Sequence, residues 1–251
     1  MLVDVHAHMD LIGNLDHAIQ KCRENNFYAV ISNGTNLNDN QKVLDISKKY
    51  GVIKSALGFY PDEVDFLDES DIEESFSFIK KNIRKLTAIG EIGLDFSNKD
   101  SNKKKQIDVF NTCIELAEKN KLPIIVHSRK AELEITEILE SSSIKKVVMH
   151  CFSGNFKLIK RLYEKNFSFS IPCIINRSEH FQKIVKEINL DNILTESDAP
   201  FLSPFPDKKN KPYFIKNTIN EISKIKNLDN KIIEDTILEN YKKMFSNNLV
   251  H

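Results

Sequence analysis

The residues of this 251-residue chain with the widest chemical reach fall in five short segments: DVHAHMD (4–10), GEIGLD (90–95), VHSR (126–129), MHCFSG (149–154) and TESDAP (195–200). In the first, His6 and His8 lie two residues apart, flanked by Asp4 and Asp10. On a strand, where side chains repeat every second residue, both imidazoles point the same way. Paired imidazoles are costly if both are protonated, and they are natural ligands for a cation. Taken alone, the triplet reads equally well as two ordinary surface histidines.

The other segments supply more donors of the same kind. His127 and His150 each close an apolar run, as do Glu91 with Asp95 and Glu196 with Asp198. Four of the seven histidines therefore stand at the ends of strand-like runs. A catalytic zinc takes about three protein ligands, and four imidazoles with two or more carboxylates exceed that. They match a two-metal cluster, whose ions lie about 3.5–4 Å apart and can share a carboxylate. Glu91, on a middle strand, is the expected bridge. His17 and His180 fall in helical patterns and read as surface or half-buried residues, and His251 is a terminal residue expected to fray.

The elements that must carry these groups alternate along the chain. Short β-branched runs at 2–6, 27–32, 52–58, 86–92, 123–127, 146–150, 167–171 and 192–196 read as strands. Amphipathic stretches at 14–25, 37–50, 70–83, 101–120, 130–141, 155–165 and 178–188 read as helices, with two more at 213–226 and 229–246. Strands alternating with helices imply parallel pairing through right-handed crossovers. Eight such units predict an α/β fold, a (β/α)8 barrel of the TIM type, as one domain over 1–251 with an additional C-terminal helix. About 250 residues is the usual size for that fold. A doubly wound open sheet lacks its signature, since no GxGxxG follows the first strand. In a barrel, strand ends and the loops after them share one rim, so all five segments would meet there.

Composition limits the function classes. Lys+Arg and Asp+Glu balance at 36 each, so a polyanion must be held by a local patch and not by net charge. No stretch reaches the roughly 18 apolar residues of a membrane helix, and Asp4 and His6 interrupt the opening apolar run as no signal peptide would. The four cysteines form no CxxC pair, which fits reduced thiols in a cytoplasmic protein.

Together the five segments resemble the TatD-type metal-dependent deoxyribonucleases of the amidohydrolase-like superfamily. The resemblance runs the length of the chain, to ENYKKMF (239–245), similar to that family's closing Asn-x-x-x-x-Phe helix. It implies a (β/α)8 barrel with a divalent metal centre and Mg2+- or Mn2+-dependent 3′-to-5′ exonuclease activity on DNA, single-stranded or at 3′ ends. Carried over by motif, the implied ligands are His6, His8, Glu91, His127, His150 and Asp198. Glu196 is an extra ligand or orienter, with Asp10 and Asp95 as further candidates. Imidazole-rich ligation favours zinc or another transition ion, so two divalent ions are expected, as Mg2+, Mn2+ or Zn2+. The chain departs from the family twice. Tyr60 stands in GFYP where a histidine is common, and PDKKNKP (206–212) keeps Asn210 and Pro212 but loses arginines. A phenol donates a hydrogen bond but carries no imidazolium charge, and lysines are point charges where arginines are forks.

Roles follow as expectations. Asp198 and Glu91 are the catalytic carboxylates, Asp198 as ligand and as acceptor of the water proton; the plain alternative for Asp198 is a helix N-cap. Arg129 faces a substrate phosphate or pairs with Glu132 or Glu134. Ser153 and Gly154 offer backbone N–H groups at a helix start as an anion seat. Tyr60, Lys208 and Lys209 complete the substrate contacts, with Phe201, Phe205, Tyr213 and Phe214 interleaved to stack bases. The lysine run within 98–106 would overhang the same rim, and Cys151 reads as structural. The rivals are an amide or ester hydrolase or tRNA-editing deacylase of the same superfamily, and a binding protein with a vestigial site.

Overall fold

The structure, a computed structural model, describes residues 1–246; His251 lies outside them. Eight strands follow the chain order: β1 (Leu2–Ala7), β2 (Phe27–Asn33), β3 (Ile53–Leu57), β4 (Ala88–Asp95), β5 (Ile124–Arg129), β6 (Val147–Met149), β7 (Ser168–Ile171) and β8 (Ile193–Thr195). Every adjacent pair from β1 to β8 is parallel, and spatial order equals sequence order. All residues of β1 and β4 are buried. Covered on both faces, such strands read as near-continuous apolar runs with no alternation.

Helices fill the connections: α1 (Leu15–Glu24), α2 (Leu37–Lys49), α3 (Pro61–Val64), α4 (Glu69–Asn82), α5 (Lys103–Asn120), α6 (Glu132–Ser141), α7 (Phe156–Glu164), α8 (Glu179–Glu187), α9 (Ile215–Lys226) and α10 (Asn230–Phe245). The result is the expected TIM-type barrel. The sequence pattern missed α3, a single turn that Pro61 starts at the first helical position. Local chemistry sets the helix starts. Asp68 and Asp71 form a reciprocal capping box on α4, and Asn155 accepts from the N–H groups of Lys157 and Leu158 on α7. Leu158, Ile159 and Leu162 then bury the inner face of α7.

Two features close the cylinder. Among the described residues β8 and β1 share no regular ladder. Side chains bind the seam instead: Thr195 Oγ1 donates to the Val3 carbonyl at 2.6 Å, and Ser197 donates to Asp4 through its N–H at 2.9 Å and its hydroxyl at 2.5 Å. Just above, Asp198 N–H donates to the His6 carbonyl and His8 N–H to the Ala199 carbonyl, both at 2.8 Å. On the outside, Asn240 of α10 donates to the carbonyls of Leu190 and Ile193 at 2.8 and 2.9 Å. The asparagine of the closing helix is thus a buried latch that satisfies two carbonyls at the entry to β8.

Candidate metal centre

Strand lengths decide how each donor reaches the rim. β4 runs on to Asp95, beyond the expected 92, so Glu91 lies in mid-strand and Asp95 at its end. β6 stops at Met149 and β8 at Thr195, which leaves His150, Glu196 and Asp198 on the loops that follow. Asp198 has a φ of +55°, in the left-handed region that aspartate tolerates better than most residues. No helix follows it before the turn at Pro212–Phe214, so the N-cap alternative does not hold. Gly93 has a φ of +148°, and a Cβ there would sit 1.9 Å from the His127 carbonyl oxygen. Only glycine lets β4 approach β5 this closely, with Gly93 opposite His127 in the register.

Two donor groups form at this rim. In the first, His6 Nε2 lies 3.3 Å from His8 Nε2, 3.5 Å from Glu91 Oε2 and 3.5 Å from Asp198 Oδ1. His8 Nε2 lies 3.6 Å from Glu91 Oε2 and 3.5 Å from Asp198 Oδ1. Tetrahedral donors about 2.0–2.2 Å from one ion stand about 3.3–3.6 Å apart, so the His6, His8 and Asp198 atoms fit one divalent cation, with Glu91 Oε2 beside the two imidazoles. In the second, the other Glu91 oxygen, Oε1, lies 2.9 Å from His127 Nδ1 and 3.8 Å from His150 Nε2. The His6 and His150 rings stack with centroids 3.6 Å apart, joining the two groups.

The far side of each ring is held. His127 Nε2 meets Asp95 Oδ2 at 3.1 Å, His150 Nδ1 meets Glu196 Oε2 at 2.7 Å, and His8 Nδ1 meets the Asn33 carbonyl at 3.2 Å. Such partners fix the tautomer and aim of a ligating imidazole. Ser170 in turn donates to Glu196. Asp95 and Glu196 therefore stand behind the histidines as orienters. Asp10 joins neither group: it lies in the 3-10 turn after His8, where burial and nearby Asp39 raise its pKa.

The electrostatics are those of a centre built for positive charge. Burial pushes Glu91 up, but the imidazoles of His6, His127 and His150 outweigh it and hold the carboxyl well below the usual range. Burial and then His150 keep His6 neutral, its pKa well below the ordinary value. Burial also lowers His8 and His127, yet Asp198 and Glu91 bring His8 up to about 9, and Asp95 and Glu91 bring His127 to about 9. Opposed shifts packed into one cleft mark functional sites.

A cavity of about 740 Å3 opens over these groups, lined by Tyr60, Arg129 and Ser153 among others. Tyr60 stacks edge-on against His127 at 5.1 Å, with its hydroxyl 3.4 Å from Asp95 Oδ2. Arg129 pairs with neither Glu132 nor Glu134; among the described residues no ion pair takes it. Other expected contacts fall elsewhere. The Ser153 hydroxyl donates to Glu132 at 3.0 Å, and Asn155 caps the N–H groups of Lys157 and Leu158 at the start of α7. Gly154 is a packing glycine, where a Cβ would meet the Phe152 ring at 2.5 Å. Lys208 and Lys209 are exposed and lie off the cavity lining, Lys208 resting 5.6 Å from the Phe205 ring centre. Lys105 is tied to the Leu67 carbonyl, and Lys103 sits 4.6 Å over Phe96, so the lysine run is partly structural. Cys151 is a free thiol that burial keeps protonated. Sequence reasoning missed Asn33, Ser170 and the seam role of Asp4. Only Asp4 carried a signal, sharing the strand parity of His6 and His8.

An eight-stranded parallel barrel with imidazoles and carboxylates gathered at the C-terminal rim defines a hydrolase scaffold of the metal-dependent class. The chain belongs to the family described as TatD related DNase, which matches residues 3–246. It is 34% identical to an uncharacterized metal-dependent hydrolase of Methanocaldococcus jannaschii over 98% of both chains. It is 29% identical to the human protein named deoxyribonuclease TATDN3, covering 97% of this chain and 94% of that one. A TatD homologue from Escherichia coli shares the fold with a TM-score of 0.90 at 22% identity, over 98% of each chain. The protein is a TatD-family metal-dependent hydrolase.

Proposed function

We propose that the protein is a deoxyribonuclease of the 3′-to-5′ exonuclease type, using two divalent cations held by His6, His8, Glu91, His127, His150 and Asp198. The observation that carries this reading is the division of labour at Glu91. One carboxylate oxygen faces His6 and His8 and the other faces His127 and His150, as a bridge between two ions requires. Imidazole nitrogens favour zinc or another later transition ion, whereas the carboxylates also accept magnesium or manganese.

When bound, such cations lower the pKa of water towards about 7 and polarise the phosphoryl oxygens. The chain's own groups do the rest. Asp198, whose Oδ1 stands beside both His6 and His8 as a ligand, would take the proton of the attacking water on its second carboxylate oxygen. Asp95 and Glu196 keep His127 and His150 aimed inward. Arg129, at the end of β5 and without a carboxylate partner, offers a planar fork to a phosphate. The Tyr60 hydroxyl offers a neutral donor on the same side. Free cysteines throughout are in keeping with a reducing compartment such as the cytoplasm, and among the described residues no helix is long and apolar enough to cross a membrane.

Chelation followed by restoration with Mg2+, Mn2+ or Zn2+ tests the reading, with end-labelled single-stranded DNA assayed beside a tRNA ester and a small amide. Stepwise shortening from the 3′ end in wild type, lost in Glu91→Ala, is the expected result. Ester or amide turnover without DNA cleavage would transfer the assignment to the rival hydrolases. One feature favours that rival: Asp39 and Glu63 line the same cavity, and a polyanion must avoid them.

A further inference from the structure

The cavity wall changes character around its circumference. At the rim of β1 and β8 it is apolar, lined by Leu11, Phe201 and Leu202, with Leu11 47% and Phe201 53% exposed. The Phe201 ring stands edge-on to His8, centroids 5.8 Å apart, which fixes it beside the first donor group. Beyond β2 and β3 the wall is acidic, carrying Asp39 on α2 and Glu63 on α3. Four strands round the cylinder from β1, on its opposite side, β5 presents Arg129. Beside Arg129, Ser128 also borders the cavity, with its hydroxyl buried.

We propose that Phe201, with Leu11 and Leu202, seats the terminal nucleobase of a single-stranded DNA substrate, whose remaining strand leaves across Ser128 and Arg129. This inference rests on the phosphodiesterase reading above and gives it a direction. A nucleobase has an apolar π-face of the kind that stacks on an aromatic side chain, and stacking tolerates any base. An exposed phenylalanine beside the donor groups loses its contact with water when such a face covers it. The phosphates are repelled by Glu63, and less by Asp39, which Lys42 pairs at 3.0 Å, and are drawn towards Arg129. The bond between the terminal and next nucleotides then lies over Glu91, between the two walls. A cavity of about 740 Å3 is of single-ligand size, as removal of one terminal nucleotide requires.

The test compares KM and kcat for two 5′-labelled single strands with Mn2+ present. One strand carries a normal 3′-terminal nucleotide and the other a 3′-terminal abasic residue. Wild type should show a KM at least about ten-fold higher for the abasic strand, the size of one base–aromatic stack. In Phe201→Ala that ratio should collapse towards one, and in Phe201→Trp it should persist. Arg129→Ala should flatten the dependence of KM on salt, because one phosphate contact is lost. A ratio near one in wild type, or one that Phe201→Ala leaves intact, overturns the base seat. An unchanged salt slope in Arg129→Ala overturns the exit path. Cleavage of bis(p-nitrophenyl) phosphate, assayed alongside, separates the two levels: if wild type cleaves neither strand nor this diester, the phosphodiesterase reading itself falls.

Discussion

Asp95 grips His127 from behind: its Oδ2 lies 3.1 Å from His127 Nε2, while His127 Nδ1 faces Glu91 Oε1 at 2.9 Å. The imidazole is therefore held between two carboxylates, one structural and one in the donor set. Replacing Asp95 by Asn keeps the shape but removes the charge that sets the tautomer. Loss of such a partner lowers metal affinity about 10–100-fold. Competition with a coloured chelator should read that drop in Asp95→Asn, and a comparable one in Glu196→Gln, which stands behind His150.

Glu91→Ala removes one donor from each group at once. Elemental analysis of the purified variant should find less than one bound divalent ion per chain, and hydrolysis should be abolished. A variant that keeps a full metal complement would contradict the bridging role.

Cation binding should depend steeply on pH. His8 and His127 have pKa values raised to about 9 by their carboxylate partners. In the cation-free protein the stability they contribute is fully present below the unfolded-state value of about 6.5 and is lost as pH rises through about 9. Ligation needs both nitrogens deprotonated, so affinity climbs as pH rises towards about 9, and uptake below that releases protons. Calorimetric titration in buffers of different ionisation enthalpy measures that release. An affinity independent of pH across this window would show that the two imidazoles do not ligate.

Gly93→Ala should damage the centre without touching a donor. The added Cβ meets the backbone of His127, so β4 and β5 must separate where Glu91 and His127 face one another. Expected outcomes are a lower melting temperature and weakened metal uptake together. A variant with wild-type affinity would mean that the close approach is dispensable.

Asn240→Leu should separate stability from chemistry. It strips the side-chain partner from the Ile193 carbonyl, at about 1–3 kcal/mol for a buried group left unpaired, while the Leu190 carbonyl keeps the Ile193 N–H. Urea unfolding should show this loss, while metal affinity of the folded protein stays at the wild-type level.

The barrel was legible because its strands are buried on both faces and read as compact β-branched runs between helical patterns. The donor histidines were legible because strand ends place them on one rim, whatever their separation in sequence. What escaped prediction depends on tertiary neighbours. Nothing local reveals that Ser153 turns to Glu132, or that Lys105 is captured by the Leu67 carbonyl. Asn33 orients His8 through a backbone carbonyl, which any residue type supplies. Asp4 could have been grouped with His6 and His8 by parity, but its partner Ser197 lies 193 positions away.

That distance has a temporal meaning. The clasp and the first donor group both need β1 and the turn after it to meet the loop that follows β8. A growing chain consequently cannot set Asp198 beside His6 and His8 until the eighth strand has emerged. The donor set is completed only by the last strand of the barrel to be made, so the metal centre and the closed cylinder arise in the same event.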